Sequence, residues 1–117
     1  MPRVVIIDDH AAFRSSARSL LELDGFDVVG EAADGASGLA VVDEAGADLV
    51  LVDVGLPDAS GFDVAERIAL ATPPPDVILL SSRDQVELRG RVERSPARGF
   101  ISKDALSGAA IAAVLGR

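Results

Sequence analysis

Apolar residues in this chain form short continuous runs separated by longer segments with helical spacing. The runs are VVII at 4–7, FDVVGEA at 26–32, LVLV at 49–52, DVILL at 76–80 and GFIS at 99–102. Continuous apolar runs, unlike alternating apolar and polar residues, are typical of strands that are covered on both faces of a parallel sheet. The pattern therefore predicts five buried strands.

The segments between these runs have the spacing of helices that lie on a sheet. The first carries apolar residues at i, i+4, i+7 and i+8, namely Phe13, Ala17, Leu20 and Leu21. Gly25 ends this helix, and further helices are predicted at about 36–45, 61–71, 84–94 and 105–115. Five alternations of strand and helix predict an open α/β sheet with right-handed crossovers and helices on both faces.

The predicted helix at 84–94 is the least apolar of the five. Its large apolar residues are Val86, Leu88 and Val92, and Gly90 lies in its interior. Glycine at such a position costs up to about 1 kcal/mol relative to alanine. We therefore expect this helix to be weakly anchored or mobile.

Composition adds expectations about compartment and partners. With 117 residues, the chain is expected to form a single domain over 1–117 with no output domain. A net charge of −8 disfavours nucleic-acid binding, which needs clustered Lys and Arg. Cysteine is absent, and the N-terminal region has no apolar segment suited to export or membrane spanning. A cytoplasmic domain with no membrane partner is expected.

Polar residues capable of chemistry follow four of the five predicted strands. They are Asp8, Asp9, Asp53, Ser81, Ser82 and Lys103. The carboxyl ends of parallel strands meet at one edge of the sheet, where ligands bind in open α/β folds. Taken singly, each is more often a solvated turn residue, a hydroxyl bonded to backbone or a surface lysine. Lys103, however, is the single lysine among eleven basic residues, and the combination predicts a site.

Three carboxylates at one edge require a cation, because two such charges about 4 Å apart repel by roughly 4 kcal/mol at an effective dielectric near 20. Mg²⁺ fits best, since it uses few carboxylates and keeps waters that a phosphate can replace. Such a site suits phosphoryl transfer. Asp53 is the best candidate nucleophile, with Asp9 and nearby Asp8 holding the metal. Ser81 would then donate a hydrogen bond to a phosphoryl oxygen, and Lys103 would pair with Asp53 before transfer and with the phosphoryl group afterwards.

Four segments resemble, in this order, the defining motifs of the receiver domain of two-component response regulators. They are VVIIDDH, LVDVGLPDASG, VILLSS and GFISKD. The resemblance covers essentially the whole chain. It implies a flavodoxin-like (βα)5 three-layer sandwich whose five parallel strands have the order 2-1-3-4-5.

The resemblance also implies individual roles. Asp53 would be the phosphoacceptor, and Mg²⁺ would be bound by the carboxylates of Asp9 and Asp53. The backbone carbonyl of Gly55 would be a further ligand, and Asp8 would act largely through metal-bound water.

Four more positions match residues of the family that respond to the phosphoryl group or shape the site. Ser81 would move toward the phosphoryl group, Lys103 would supply the ammonium, and Pro57 would shape the loop. Phe100 occupies the position of an aromatic switch residue, although a core or edge phenylalanine explains it equally well.

A sensor histidine kinase is the partner that the resemblance implies. The domain would catalyse its own phosphorylation and dephosphorylation, and would change the face formed by the fourth helix, fifth strand and fifth helix. That face could mediate a homodimer or contact a fused output domain. His10, FDVVGEAADG and GFISKD are most similar to the NarL/LuxR branch, whose members usually continue into a helix-turn-helix domain that controls transcription.

Three positions depart from the common family pattern or are variable within it. Asp104 stands where many receivers have a proline with a cis peptide bond, so that rigid turn is absent. Gly55 and Arg83 lie two residues beyond Asp53 and Ser81, at positions that influence how fast the acyl phosphate hydrolyses.

Other classes explain less of the sequence. A haloacid dehalogenase-type phosphatase needs a second acid two residues after its nucleophile, where this chain has Gly55. A flavodoxin would have a hydroxyl-rich phosphate loop after its first strand, where this chain has DDHAAF. A pseudo-receiver that signals by binding without phosphorylation remains an alternative, as does a stand-alone receiver without a DNA-binding output.

Overall fold

In the part of the chain that the structure describes, five strands alternate with five α-helices, as the apolar runs predict. The structure is a computed structural model that describes residues 1–82 and 88–116. The strands are β1 (Arg3–Ile7), β2 (Asp27–Ala32), β3 (Leu49–Asp53), β4 (Asp76–Ser81) and β5 (Gly99–Ser102). The helices are α1 (Ala11–Leu23), α2 (Gly35–Ala45), α3 (Gly61–Ile68), α4 (Leu88–Arg94) and α5 (Gly108–Leu115).

The strands form one parallel sheet in the order β2-β1-β3-β4-β5, which confirms the predicted flavodoxin-like topology. Side chains along each strand alternate between two cores. Val4 and Ile6 pack against α1 and α5 on one face, whereas Val5 and Ile7 pack against the layer of α2, α3 and α4 on the other. Because both faces are covered, the strand sequences are apolar at nearly every position.

Strand β2 contains a β-bulge near its N-terminal end. Val4 pairs with Val28, but Val5 pairs with Gly30, so one residue of β2 is skipped. The side chains of successive strand residues point to opposite faces of the sheet. An extra residue therefore moves each later side chain of β2 to the face opposite the one it would otherwise occupy. As a result, Val28 and Glu31 both lie on the α1 side of the sheet although three positions separate them.

Two predicted helices differ from the observed ones at their ends. Helix α3 ends at Ile68 instead of 71. Helix α5 begins at Gly108 instead of 105, because Leu106 is extended and the Ser107 side chain caps the helix by accepting the Ala110 amide hydrogen. A short 3₁₀ turn at Lys103–Ala105 takes up the intervening residues.

Helix α4 packs through few apolar side chains, as its sequence predicts. Leu88 is buried, Val92 is half-buried, and the Arg91 guanidinium lies 4.2 Å from the centroid of the Phe62 ring on α3. The predicted start of this helix, including Val86, lies outside the described residues. Among the described residues, no helix is long and apolar enough to span a membrane.

Candidate functional site

The carboxyl ends of three strands bring polar groups into the interior. Asp8 follows β1, Asp53 is the last residue of β3, and Ser81 is the last residue of β4. These are the buried polar or charged residues of the described part of the chain, with exposures of 0%, 6% and 1%. Burial of two carboxylates is costly unless charge or hydrogen bonds compensate them. The strand-end residues are thus brought together as the sequence predicts.

Lys103 lies directly after β5 and reaches across to these acids. Its Nζ is 2.5 Å from Asp8 Oδ2 and 3.6 Å from Asp53 Oδ1. The Nζ also lies 4.9 Å from the centroid of the Phe13 ring on α1, within range of a cation–π contact. The predicted pairing of Lys103 with Asp53 is therefore present, but the shorter contact, to Asp8, was not predicted.

Residues 8–10 form a tight turn after β1. The Asp8 amide donates to the Ala32 carbonyl at 3.0 Å, and Asp8 Oδ1 accepts the His10 amide hydrogen at 2.8 Å. The His10 ring folds back, so that its Nδ1 is 3.1 Å from Asp8 Oδ1 and 3.2 Å from Asp9 Oδ1. Asp9 is about one third exposed, whereas Asp8 is completely buried. The two adjacent acids therefore occupy different environments.

Burial raises the pKa of the Asp53 carboxyl above its usual value, and the neighbouring Asp8 and Asp9 charges raise that pKa further. The Lys103 ammonium opposes both effects but does not overcome them. The fold by itself therefore disfavours the ionised form of the Asp53 carboxyl, chiefly because that group is buried.

The donor set fits a hard divalent cation. Asp8, Asp9, His10 and Asp53 each offer a ligand atom, and these atoms lie within 4.8 Å of one another. Lys103 offsets one of the three carboxylate charges, which leaves two uncompensated. Asp8 Oδ2 is buried and accepts no hydrogen bond of good geometry, although the Lys103 ammonium is close. Carboxylate oxygens with a net charge near −2 match the preference of Mg²⁺.

The loop after β3 carries two further predicted residues, Gly55 and Pro57, both of which are exposed. Asp58 fixes this loop to the start of α2, because its two oxygens accept the amide hydrogens of Gly35 at 2.7 Å and Ala36 at 3.0 Å. A carboxylate at a helix N-terminus also interacts favourably with the helix dipole. Asp58 was not predicted as part of the site, and its position in a polar loop offered no specific signal.

Gly61 begins α3 against the backbone of β3. A Cβ at this position would lie within van der Waals overlap of the Asp53 carbonyl oxygen and Val54 Cα. The Gly61 amide donates to the Val54 carbonyl at 3.0 Å, and the Ser60 side chain caps the helix by accepting the Phe62 amide hydrogen. Glycine thus allows α3 to start in contact with the backbone of Asp53. The Gly61 position appears in the LVDVGLPDASG motif, but the motif alone gave it no role.

The remaining predicted residues are less closely tied to the cluster. Phe100 is half-buried and packs against the core that contains Leu88 of α4. Asp104 is exposed in the 3₁₀ turn after β5. Arg83 lies outside the described residues. Two residues without a predicted role also lie near the cluster: Arg14 donates to the Asp8 carbonyl in the turn that carries the acids, and Glu31 pairs with Arg14.

Comparison with known proteins agrees with this geometry. Residues 4–115 match the family model described as the response regulator receiver domain. The chain is 35% identical over 114 residues to the probable transcriptional regulatory protein NarL of Mycobacterium tuberculosis, covering 97% of this chain and 53% of that protein. It is 30% identical over 115 residues to the response regulator UvrY of Escherichia coli, with the same coverage of each chain.

Structural comparison gives the same result. The signal receiver domain of NarL from M. tuberculosis superposes with a TM-score of 0.87 and 33% identity, over 99% of this chain and 98% of that chain. The present chain spans about half the length of the curated relatives it matches. Sequence family, fold and strand-end acids all agree, and the chain belongs to the family of response regulator receiver domains.

Proposed function

We propose that this domain is a phosphorylation-activated switch that accepts a phosphoryl group on Asp53 from a sensor histidine kinase. The observation that carries the proposal is the buried cluster in which Lys103 Nζ lies within 3.6 Å of both Asp8 and Asp53. The cluster combines a carboxylate nucleophile, acids for a metal and a cation for the incoming charge. A purely structural ion pair would need one acid, not three.

Asp9 and Asp53 would bind Mg²⁺ through their carboxylates, with the Gly55 carbonyl as a third protein ligand and Asp8 mostly through water. When bound, the ion would neutralise charge on the phosphoryl oxygens. Its positive charge would also lower the pKa of Asp53, which burial raises. Asp53 would thereby be kept ionised as a nucleophile.

In the reaction, an Asp53 carboxylate oxygen attacks the phosphorus of the kinase's phosphohistidine. A new P–O bond forms, the P–N bond breaks, and the leaving imidazole takes up a proton. The Lys103 ammonium and the Ser81 hydroxyl then bind oxygens of the acyl phosphate. Water attack on the phosphorus later restores the carboxylate and releases phosphate.

Switching follows from the change of charge at Asp53, where an acyl phosphate with close to two negative charges replaces a carboxylate with one. Moving a two-state equilibrium from 1:99 to 99:1 needs about 5.5 kcal/mol. Charge-assisted hydrogen bonds of roughly 1.5–3 kcal/mol each, made by Ser81 and Lys103, can supply that energy. Phe100 and the weakly packed α4 would transmit the change to the face of α4, β5 and α5. The output would be transcriptional control, as the names of the relatives suggest.

The experiment is Mg²⁺-dependent labelling of the protein by a small phosphodonor such as acetyl phosphate. We expect one equivalent of alkali-labile phosphate on the wild type and none on Asp53→Asn. Asp43→Asn, which changes an exposed acid on α2, is the matched control and should label normally. Absence of labelling in a folded wild-type protein would instead favour a receiver that acts by binding alone.

A further inference from the structure

Arg14 connects the acidic turn after β1 to strand β2. Its Nη1 donates to the Asp8 carbonyl oxygen at 2.6 Å, and its Nε donates to Glu31 Oε1 at 3.2 Å. That carbonyl belongs to the peptide group between Asp8 and Asp9. The Arg14 side chain is 19% exposed, so water competes little with these contacts.

Glu31 is held firmly enough to orient Arg14. Its second oxygen accepts from Arg18 Nε at 2.8 Å, and the bulge in β2 is what turns Glu31 toward α1. The amide of Asp8 is fixed as well, because it donates to the Ala32 carbonyl at 3.0 Å. Both ends of the Asp8 backbone are therefore bound, one by β2 directly and the other by β2 through Arg14.

We propose that Arg14 is a positioning residue for the metal site, which orients the Asp8–Asp9 peptide so that the Asp9 carboxylate faces the cluster. The inference rests on the proposed function, because it assumes that this cluster binds Mg²⁺. Loss of a hydrogen bond made directly to a metal ligand typically changes affinity by about 10- to 100-fold. Because Arg14 binds the backbone next to the ligand, we expect the lower end of that range.

Electrostatics and positioning predict opposite outcomes when Arg14 is neutralised. A guanidinium close to a cation site repels the cation, so removal of its charge alone would tighten Mg²⁺ binding. Loss of the carbonyl contact would instead free the peptide and weaken binding. The sign of the change therefore separates the positioning role from a simple charge effect.

The matched pair of variants is Arg14→Gln and Arg18→Gln. Both remove one positive charge and one contact to Glu31, but only Arg14 touches the Asp8 carbonyl. Mg²⁺ affinity is measured by following amide shifts in ¹H–¹⁵N spectra during titration. We expect the dissociation constant to rise about tenfold for Arg14→Gln and to change by less than about twofold for Arg18→Gln, whose side chain is more exposed.

Labelling by acetyl phosphate gives a second readout. For Arg14→Gln, the Mg²⁺ concentration at half-maximal rate should rise with the dissociation constant, while the rate at saturating Mg²⁺ stays near that of the wild type. A role confined to stability would change neither the dissociation constant nor the half-saturating Mg²⁺ concentration of the folded fraction. If Arg14→Gln does not fold, Glu31→Gln takes its place. That variant weakens the ion pair that orients Arg14, but it keeps the guanidinium that donates to the Asp8 carbonyl.

Unchanged or tighter Mg²⁺ binding by Arg14→Gln, or equal weakening by Arg18→Gln, would overturn the inference and leave the proposed function standing. A folded wild type that binds no Mg²⁺ and accepts no phosphoryl group would overturn both. Weakening confined to Arg14→Gln supports the positioning role.

Discussion

The Lys103 ammonium lies 2.5 Å from the completely buried Asp8 carboxylate and 3.6 Å from Asp53, so its closer partner is Asp8. This relationship gives the lysine two tasks. In the proposed switch, it would compensate a buried acid before phosphorylation and bind the phosphoryl group on Asp53 afterwards. Loss of the first contact on phosphorylation would release Asp8 to its metal-bound waters.

Lys103→Ala should fold but lose stability when Mg²⁺ is absent. Removal of one partner of a buried ion pair leaves an uncompensated charge and costs about 3 kcal/mol or more. Mg²⁺ should restore much of this loss, because a cation then replaces the ammonium. Urea unfolding in EDTA and in millimolar Mg²⁺ measures both effects. Phosphorylation should persist in part, whereas the phosphorylated variant should fail to switch its partner-binding face.

The matched control for Lys103→Ala is Arg98→Ala. Arg98 pairs with Asp76 at 2.8 Å, but its side chain is 47% exposed and lies outside the acidic cluster. We expect a loss of less than about 1 kcal/mol, independent of Mg²⁺. Normal partner binding by phosphorylated Lys103→Ala would argue against its signalling role.

Asp53→Asn should be more stable than the wild type at neutral pH in EDTA. The pKa of Asp53 is raised in the folded protein, chiefly by burial, so the fold favours the protonated form. The favourable contribution is complete at pH values below the unfolded carboxyl pKa and is lost as the pH rises through the folded value. The stability difference between variant and wild type should therefore shrink as the pH is lowered toward that range. Unfolding at a series of pH values, without metal, gives the measurement, and a difference that does not vary with pH would contradict it.

Asp9→Ala should abolish the Mg²⁺ dependence at millimolar metal. Mg²⁺ is held by few protein carboxylates, so the loss of one direct ligand weakens binding by at least about tenfold. Asp104→Ala, which changes an exposed acid next to Lys103, should titrate like the wild type. The check is the Mg²⁺-induced increase in the melting temperature of each protein. An unchanged titration of Asp9→Ala would count against Asp9 as a ligand.

Much of the fold followed from the apolar runs because both faces of the sheet are buried, so that burial alone marks each strand. The convergence of Asp8, Asp53, Ser81 and Lys103 was predictable for a related reason. The carboxyl ends of parallel strands lie at the same edge of the sheet, so the order of strands along the chain is enough to predict that the residues after them lie near one another.

Other features depend on tertiary contacts that no local pattern encodes. The bulge between Val28 and Gly30 leaves no signal in an apolar strand, yet it decides which face Glu31 occupies. The start of α5 depends on capping by Ser107, which competes with an equally plausible start in the preceding turn. The preference of Lys103 for Asp8 depends on side-chain reach, which sequence spacing cannot supply.

Gly61→Ala should lower stability and slow phosphorylation, because its Cβ would overlap the backbone oxygen of Asp53. Overpacking of this kind costs about 1–3 kcal/mol, more than the roughly 1 kcal/mol that alanine gains over glycine in a helix. The backbone of Asp53 or the start of α3 must move, so the labelling rate at saturating Mg²⁺ should fall as well.

Gly55→Ala is the matched stability control for Gly61→Ala, since it adds the same methyl group in the connection that precedes α3. A Cβ on Gly55 would meet nothing within 4 Å, and its φ is not positive. Its unfolding free energy should therefore change by less than about 0.5 kcal/mol. Urea unfolding of the two variants separates the effect of steric contact with the Asp53 backbone from the effect of adding a methyl group elsewhere between β3 and α3. Equal changes in the unfolding free energy of the two variants would mean that the close approach of α3 to the Asp53 backbone does not constrain position 61.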